Sequence, residues 1–387
     1  MNKKSKRAVI VFVDWYLPGY KSGGPVRSVA NMIDHLFDDF DFYIVTRNCE
    51  YGENSPYPNI ISDTWNDFGN GVKVWYSSKG TPSLTLWRRL IKESAVKAVY
   101  INGIYSPLFS MLPLIAAHSL NIKNVIVAPR GMLAKSAINI KRFKKKLFIF
   151  FMKFFGLYRN VNWHATNCRE ADDVSDVLGL NDKNIVVAPN FARKAKVSSK
   201  AVIKDKKSLR VCSLARIAPE KNTLFSIESL NYVSPDVLVE FHLYGHIYDK
   251  KYWSLCVDKI EALPQNIKVT YKGFVEPDKI EETIQDYHLL FLPSRGENFG
   301  HVIVESFIAS RPVLISDQTP WKDLSVKKAG FDLPLNSYND FARVIEKFAY
   351  MDHFEYEEWK QGAKKEGLII SEDSELKMLY INMFLRR

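Results

Sequence analysis

The chain has 387 residues, 47% hydrophobic and 25% charged, which is ordinary for a globular protein of one to three domains, two being the expected number. A net charge of +11 favours an anionic partner: nucleic acid, an acidic membrane surface or a phosphorylated ligand. Four scattered cysteines without C-x-x-C spacing point to neither a disulfide framework nor a zinc site and fit a reducing cytosol. The basic start, Met1 to Arg7, leads into an apolar run too short for a signal segment, and no stretch reaches the ~18–20 apolar residues of a membrane span.

Ala8 to Val13 is a continuous apolar run, the mark of a strand buried on both faces. The loop Pro18-Gly-Tyr-Lys-Ser-Gly-Gly-Pro25 follows, and Val26, Val29, Ala30, Ile33 and Leu36 then have helical spacing. A glycine-rich turn at Gly23-Gly24 suits a phosphate or sugar approaching the backbone, although such a turn is more often only a turn. Further strands are expected at Asp41–Thr46, Val72–Tyr76, Ala98–Asn102 and Val125–Ala128, with helices at about 83–96 and 107–120. This alternation predicts a parallel sheet covered by helices. Asn102 lies in a polar loop after a strand, a common place for ligand contacts, and Arg130 in Pro129-Arg-Gly-Met-Leu133 occupies the same kind of position. Arg130 reads either as a ligand contact or as a surface Arg in a turn.

In the segment 138–156, five of the six residues from Lys141 to Lys146 are basic, and seven of the eight from Leu147 to Phe154 are apolar. It reads equally as a helix lying in an anionic bilayer interface or as a core helix with a solvated basic end. Asn162 to Cys168 reads as a strand end leading into a helix; His164 there is a base, an acceptor contact or a structural histidine. Ile185 to Asn190 is the last strand of this half. Arg193 to Lys207, rich in Lys, Ser and Ala, is the linker candidate.

The second half opens with an apolar strand from Leu209 to Ala215. Arg216 and Lys221 follow at a strand-to-helix turn, with Pro219 and Asn222 helping the helix start, and two cations there suit a diphosphate. Val239–His246 and Val269–Val275 are the next strands with their turns, and Gly245 admits a closely approaching ligand or chain. Leu289–Leu292 is a short strand, after which Pro293, Ser294, Gly296 and Gly300 punctuate a tight loop and a helix starts at His301. Glu297 falls on that loop and Glu305 on the first turns of the helix, eight residues on. A helix N-terminus attracts phosphates, and carboxylates beside it accept from hydroxyls, a combination that suits a sugar nucleotide. Ser310 to Asp317 is a buried strand, and Ser371 to Arg387 has helical spacing. Nucleic-acid binding is set aside, because the aromatic residues beside the basic run form an apolar block rather than spaced platforms.

Glu297-Asn-Phe-Gly-His-Val-Ile-Val-Glu305, followed by Arg311-Pro-Val-Leu-Ile-Ser316, resembles the E-x7-E signature of family 4 glycosyltransferases. Asn298 stands where that family often has Gly, and Asn tolerates a left-handed backbone. Arg216 to Asn222 resembles the family's G-R-x3-x-K-N element with Ala215 for Gly. Gly245 with Asp249, Tyr252 and Trp253 is similar to its G-P-x-x-D-x-x-Y-W stretch, with His246 for Pro. Pro129–Leu133 and Gln318–Trp321 resemble segments of a bacterial surface-polysaccharide branch. The resemblance is strong over 208–325 and weaker before it.

It implies an α/β protein of the GT-B fold, with two Rossmann-like domains whose parallel sheets face a central cleft. Residues 1–195 would form the acceptor side, 196–207 the linker and 208–370 the nucleotide-sugar domain, with 371–387 crossing back to the first domain. It implies a retaining transferase that moves a sugar from a UDP- or GDP-sugar to a lipid-linked glycan; a nucleotide-sugar-binding or epimerase-like protein is the alternative. Arg216 and Lys221 would stabilise the departing diphosphate, Glu305 would hold the ribose and Glu297 the sugar hydroxyls. Gly23, Gly24, Asn298, Phe299 and Gly300 would line the donor, and Gly273, Phe274 and Val275 would lie near the base. Arg130 would meet the donor phosphates or the acceptor. Nothing in the sequence reads as a D-x-D metal site, so neither metal nor cofactor is expected. The implied location is cytoplasmic, peripheral on the inner face of the membrane, with 138–156 as the anionic-surface contact.

Overall fold

The computed structural model of the chain describes residues 6–134, 138, 142–180, 182–194, 200 and 202–386. Residues 196–199 and 201 of the expected linker, and 139–141 of the aromatic segment, lie outside them. The chain divides into two compact units, Met1–Phe191 with Asp373–Arg387, and Ala192–Glu372.

The first unit is built on strands β1 (Arg7–Val13), β2 (Phe40–Arg47), β3 (Trp65–Asp67), β4 (Val72–Ser77), β5 (Ala98–Asn102), β6 (Asn124–Ala128), β7 (Asn162–Ala165) and β8 (Ile185–Val187). Their order is β3-β4-β2-β1-β5-β6-β7-β8. Every pairing is parallel except that of β3 with β4. The apolar run of β1 shows why the sheet is buried on both sides. Val9, Val11 and Val13 pack beneath the helices Gly24–Leu36 and Ser374–Leu385, while Ile10 and Phe12 pack with Trp87 and Phe109 on the opposite face. The helix Ser374–Leu385 is part of this unit: Phe384 meets the rings of Phe40, Phe42 and Tyr100. Asn124 Nδ2 donates to the carbonyls of Met383 (3.0 Å) and Phe384 (3.1 Å), satisfying groups that a helix end leaves open.

Two local features depart from the expected elements. β3 is three residues long and antiparallel at the sheet edge, too short to leave a periodic signal. The helix expected at 107–120 opens with a π turn over Pro107–Met111 before the α-helix Leu112–Ser119, and Pro113 has no N–H to donate to the carbonyl four residues before it.

The second unit holds β9 (Ser208–Leu214), β10 (Leu238–Tyr244), β11 (Ile267–Gly273), β12 (Leu289–Leu292), β13 (Val313–Ser316) and β14 (Gly330–Leu333). Their order is β11-β10-β9-β12-β13-β14, parallel throughout. β10 and β11 end where Gly245 (φ 131°) and Gly273 (φ 79°) turn the backbone. Arg311 lies wholly inside this unit. Its guanidinium donates to five carbonyls: Tyr287 (2.7 Å), Gln285 (2.7 Å), Ser310 (3.0 Å), Lys200 (3.0 Å) and Ala309 (3.2 Å). Lys204 is similarly buried and donates to the carbonyls of Ala349 and Met351, at the C-terminus of the helix Tyr338–Tyr350; burial lowers its pKa to about 8. No helix among the described residues is long and apolar enough to cross a membrane.

Candidate functional site

In an open parallel sheet, ligands collect beyond the carboxyl ends of the strands where the strand order reverses. In the second unit that point lies between β9 and β12. Lys221 comes from the loop after β9 and Glu297 from the loop after β12, 76 positions apart in sequence. The Lys221 Nζ donates to Glu297 Oε1 at 2.6 Å, with side-chain exposures of 20% and 11%. Ser294 Oγ donates to the same oxygen at 2.7 Å. The backbone supports this geometry. Glu297 N donates to Gln318 O, and Arg295 N donates to Glu220 O, which ties the two loops together.

The two cations of the expected clamp have separate partners. Arg216 donates to Glu220 (3.2 Å) and lies over the Tyr248 ring, while Lys221 turns to Glu297. Asn222 caps no helix with its side chain. It adopts the left-handed conformation (φ 60°) between the short turn Pro219–Lys221 and the helix Thr223–Leu230, and its Oδ1 accepts from Arg295 Nε at 3.3 Å.

The left-handed residue of the acidic loop is Gly300 (φ 74°) rather than Asn298. The left-handed conformation favours glycine there, and a Cβ would also press on the Ile303 side chain, 2.8 Å from its Cδ1. Gly300 opens the helix His301–Ile308, whose first turn no side chain caps. Glu305 lies on the inward side of this helix and is 8% exposed. The expectation for Phe299 is corrected. Its ring is buried against Trp321, His301 and Val304, and its carbonyl accepts from Trp321 Nε1 at 2.5 Å, so it packs the loop onto the unit. Gly245 is explained by the chain itself: a Cβ there would stand 2.0 Å from the Ala215 carbonyl. Phe274 is partly exposed and stacks on His246, with centroids 5.0 Å apart and planes 13° from parallel; Gly273 and Val275 flank it. Such a shelf can receive a flat ring.

In the first unit the order reverses between β1 and β5. Asp14 follows β1 directly and accepts from Arg47 Nη2 (2.8 Å) and Ser106 Oγ (2.9 Å), an arrangement that sequence reasoning missed, although a charged residue straight after a buried strand was its signal. Gly23 (φ 70°) and Gly24 start the first helix with open space where a Cβ would sit.

Arg130, itself left-handed at φ 54°, donates through Nε to Asn102 Oδ1 (2.7 Å), through Nη2 to Tyr100 OH (2.6 Å) and through Nη1 to Asn190 Oδ1. Asn102 therefore orients Arg130. The expectation for His164 is corrected: it is fully buried, its Nε2 donates to Ala188 O (2.8 Å) and its Nδ1 accepts from Tyr100 OH (2.7 Å). Both ring nitrogens are thus used, and neither can take a proton from an acceptor. Glu170, also buried, holds the backbone N–H groups of Gly131 and Thr166 and so fixes the loop that carries Arg130.

Burial and the nearby Arg130 lower the His164 pKa to about 3, against about 6.5 in an unfolded chain. A depressed pKa stabilises the fold fully above about pH 6.5 and loses that contribution as pH falls toward 3. The expected slope is about 1.4 kcal/mol per pH unit below pH 6 for this group. Measuring unfolding free energy of the native chain and His164→Gln between pH 7 and about 4.5 checks it: the variant should be less stable at pH 7 but show the shallower acid decline.

Residues 195–366 match the family described as Glycosyl transferases group 1. No curated protein matches the chain. Among solved structures, the chain is similar to Anabaena Alr3699/HepE in complex with UDP-glucose, at 12% identity over 97% of this chain and 98% of that one, with a TM-score of 0.66. It is similar to WaaG, a glycosyltransferase involved in lipopolysaccharide biosynthesis, at 11% identity over 98% and 99% of the two chains, with a TM-score of 0.66. It also resembles S. aureus TarM in complex with UDP at 18% identity and a TM-score of 0.56, covering 78% of this chain but only 58% of that one. At these identities the likeness establishes the fold. The family match makes residues 195–366 a group 1 glycosyltransferase domain, and the chain has the GT-B fold.

Proposed function

We propose that the chain transfers a sugar, with retention of anomeric configuration, from a UDP- or GDP-sugar to a lipid-linked oligosaccharide or polysaccharide at the inner face of a bacterial membrane. The observation that carries this reading is the half-buried Lys221–Glu297 pair, drawn from two distant loops to the switch point of the second sheet. The UDP-glucose bound by Anabaena Alr3699/HepE and the lipopolysaccharide role of WaaG agree with it.

The donor diphosphate takes the Lys221 ammonium and the Arg216 guanidinium as the bond to the sugar breaks, so the charge that develops on the leaving oxygen meets fixed cations. Glu297 accepts from sugar hydroxyls and holds the ring in place. Glu305 accepts from the ribose hydroxyls at the opposite end of the loop-helix. Phe274 and Val275 meet the base, and the backbone of Asn298 and Gly300 lines the donor beside Glu297. The acceptor hydroxyl attacks the anomeric carbon from the face the diphosphate leaves, and a leaving phosphate oxygen takes its proton. Gly23, Gly24 and Arg130 serve substrate groups on the first unit. The cations are supplied by the protein, so a chelator leaves the rate unchanged.

A transfer assay with labelled UDP- and GDP-sugars and a bacterial lipid-linked glycan extract tests this. The expected product is an α-linked glycolipid from an α-linked donor, formed in the presence of EDTA. A β-linked product overturns the stereochemistry. Turnover of the nucleotide sugar with no glycolipid moves the assignment to an epimerase-like protein.

A further inference from the structure

The helix Arg142–Phe154 carries apolar residues on two opposite faces. One face belongs to the first unit. Ile149 and Met152 are buried in its core, the Phe148 ring meets Tyr105 at 5.3 Å, and Lys145 Nζ lies 5.0 Å over the same Tyr105 ring. The other face is Phe143, Leu147, Phe150, Phe151 and Phe154, continued by Phe155, and each of these is between 43% and 79% exposed. At about 100° per residue, the helical members of this second face fall within an arc of roughly 100° centred almost opposite Ile149 and Met152. Lys146 and Lys153 border the arc on one side and Lys144 on the other, and all three are exposed.

An amphipathic helix in a water-soluble monomer turns its apolar stripe inward. Here the core side is already satisfied, and six large side chains remain outside in one patch. The rings stack on one another, Phe150 on Phe154 (6.1 Å, 19°) and Phe151 on Phe155 (6.3 Å, 18°), so they form a continuous apolar ridge rather than spaced platforms for bases. A second copy of the chain fits poorly, because a two-fold pairing of this face sets lysine borders against lysine borders. An apolar ridge with cations along both edges matches a lipid surface: rings enter the boundary between headgroups and acyl chains, and the lysines reach out to anionic headgroups.

We propose that the 142–155 face is a docking surface for an anionic lipid bilayer, with Phe150 and Phe154 at its deepest part and Lys144, Lys146 and Lys153 on the headgroups. The surface stands on the helix geometry and is independent of the donor site; it deepens the functional reading by naming what holds the enzyme near a lipid-linked acceptor.

The test is co-sedimentation of the full chain with sucrose-loaded vesicles of phosphatidylcholine alone and of phosphatidylcholine with phosphatidylglycerol, two parts to one. The native chain should partition onto the anionic vesicles at least about tenfold better than onto the neutral ones. Phe150→Ser/Phe154→Ser should lower that partition by roughly tenfold or more, and Lys146→Glu/Lys153→Glu should lower it most at low salt. Both variants should keep the native circular dichroism spectrum, the native hydrogen-exchange protection of the first unit's strands and the native nucleotide-sugar affinity. Equal partition onto both vesicle types, a Phe variant that binds as the native chain does, or a native dimer that the Phe variant converts to a monomer would each overturn the proposal. So would preferential binding of an oligonucleotide over the anionic vesicles. Vesicle binding without any nucleotide-sugar binding would leave the surface standing and remove the donor reading.

Discussion

Lys221→Ala is expected to lower kcat/KM for sugar transfer by roughly 10²- to 10³-fold, the loss typical of removing one preorganised group from a developing charge. The reason is where the ammonium sits. It is held 2.6 Å from Glu297 in a largely covered position, so its field is less screened than that of a surface lysine. In the proposed mechanism its partner also meets the substrate, and the two should behave as a unit. Glu297→Gln alone should cost a comparable factor, and Lys221→Ala/Glu297→Gln should be about as poor as the worse single variant rather than the product of both. Steady-state kinetics of the four proteins checks this. Fully multiplicative losses would mean that the pair observed in the fold does not act together in the reaction.

Arg311→Met is expected to destabilise the second unit by about 3–5 kcal/mol. Arg311 is completely buried, and among the described residues no carboxylate accepts from its guanidinium; five carbonyls from three stretches of chain accept its protons. Methionine fills much of the volume but leaves those oxygens without donors, and each unpaired buried acceptor costs on the order of 1–3 kcal/mol before relaxation or entering water offsets it. The chain has two units, so a single unfolding midpoint is a poor readout. Hydrogen exchange of the β12 and β13 amides reads the right region. A loss of protection under about 1 kcal/mol would show that water replaces the guanidinium there.

Arg311 also marks where sequence reasoning stops. The run Arg311 to Ser316 was legible as a buried strand with its lead-in, and β13 covers Val313–Ser316. The reason for the arginine was not legible, because its acceptors lie as far away as Lys200 and no local pattern encodes them. Strands whose apolar runs are bounded by glycine, asparagine or proline were read closely: β5 and β12 match residue for residue. The parallel order followed from alternating strands and helices. The antiparallel β3 and the π turn at Pro107–Met111 were missed, since neither is long enough to leave a period.

At the site, residue types were easier to read than their pairings. Lys221, Glu297 and Gly300 stood out by spacing and resemblance, yet nothing in the sequence links Lys221 to Glu297 across 76 positions. Gly245 was read as room for a ligand or chain, and the Ala215 carbonyl occupies that room. His164 was offered as a base or acceptor contact, and its burial could not be foreseen from a lone histidine after a tryptophan. Tyr100 and Asn190, which complete the setting of Arg130, resembled ordinary strand and turn residues.

The most direct test of the donor site is isothermal calorimetry of UDP-, GDP- and ADP-sugars with the native chain, Lys221→Ala and Glu305→Ala, in the presence of EDTA. The account predicts saturable binding of one nucleotide sugar, weakened roughly tenfold or more in both variants, as expected when a charge-assisted contact to a partly covered ligand is lost. Binding of none of them, or equal affinity in all three proteins, would contradict the placement of the donor on the loops after β9 and β12.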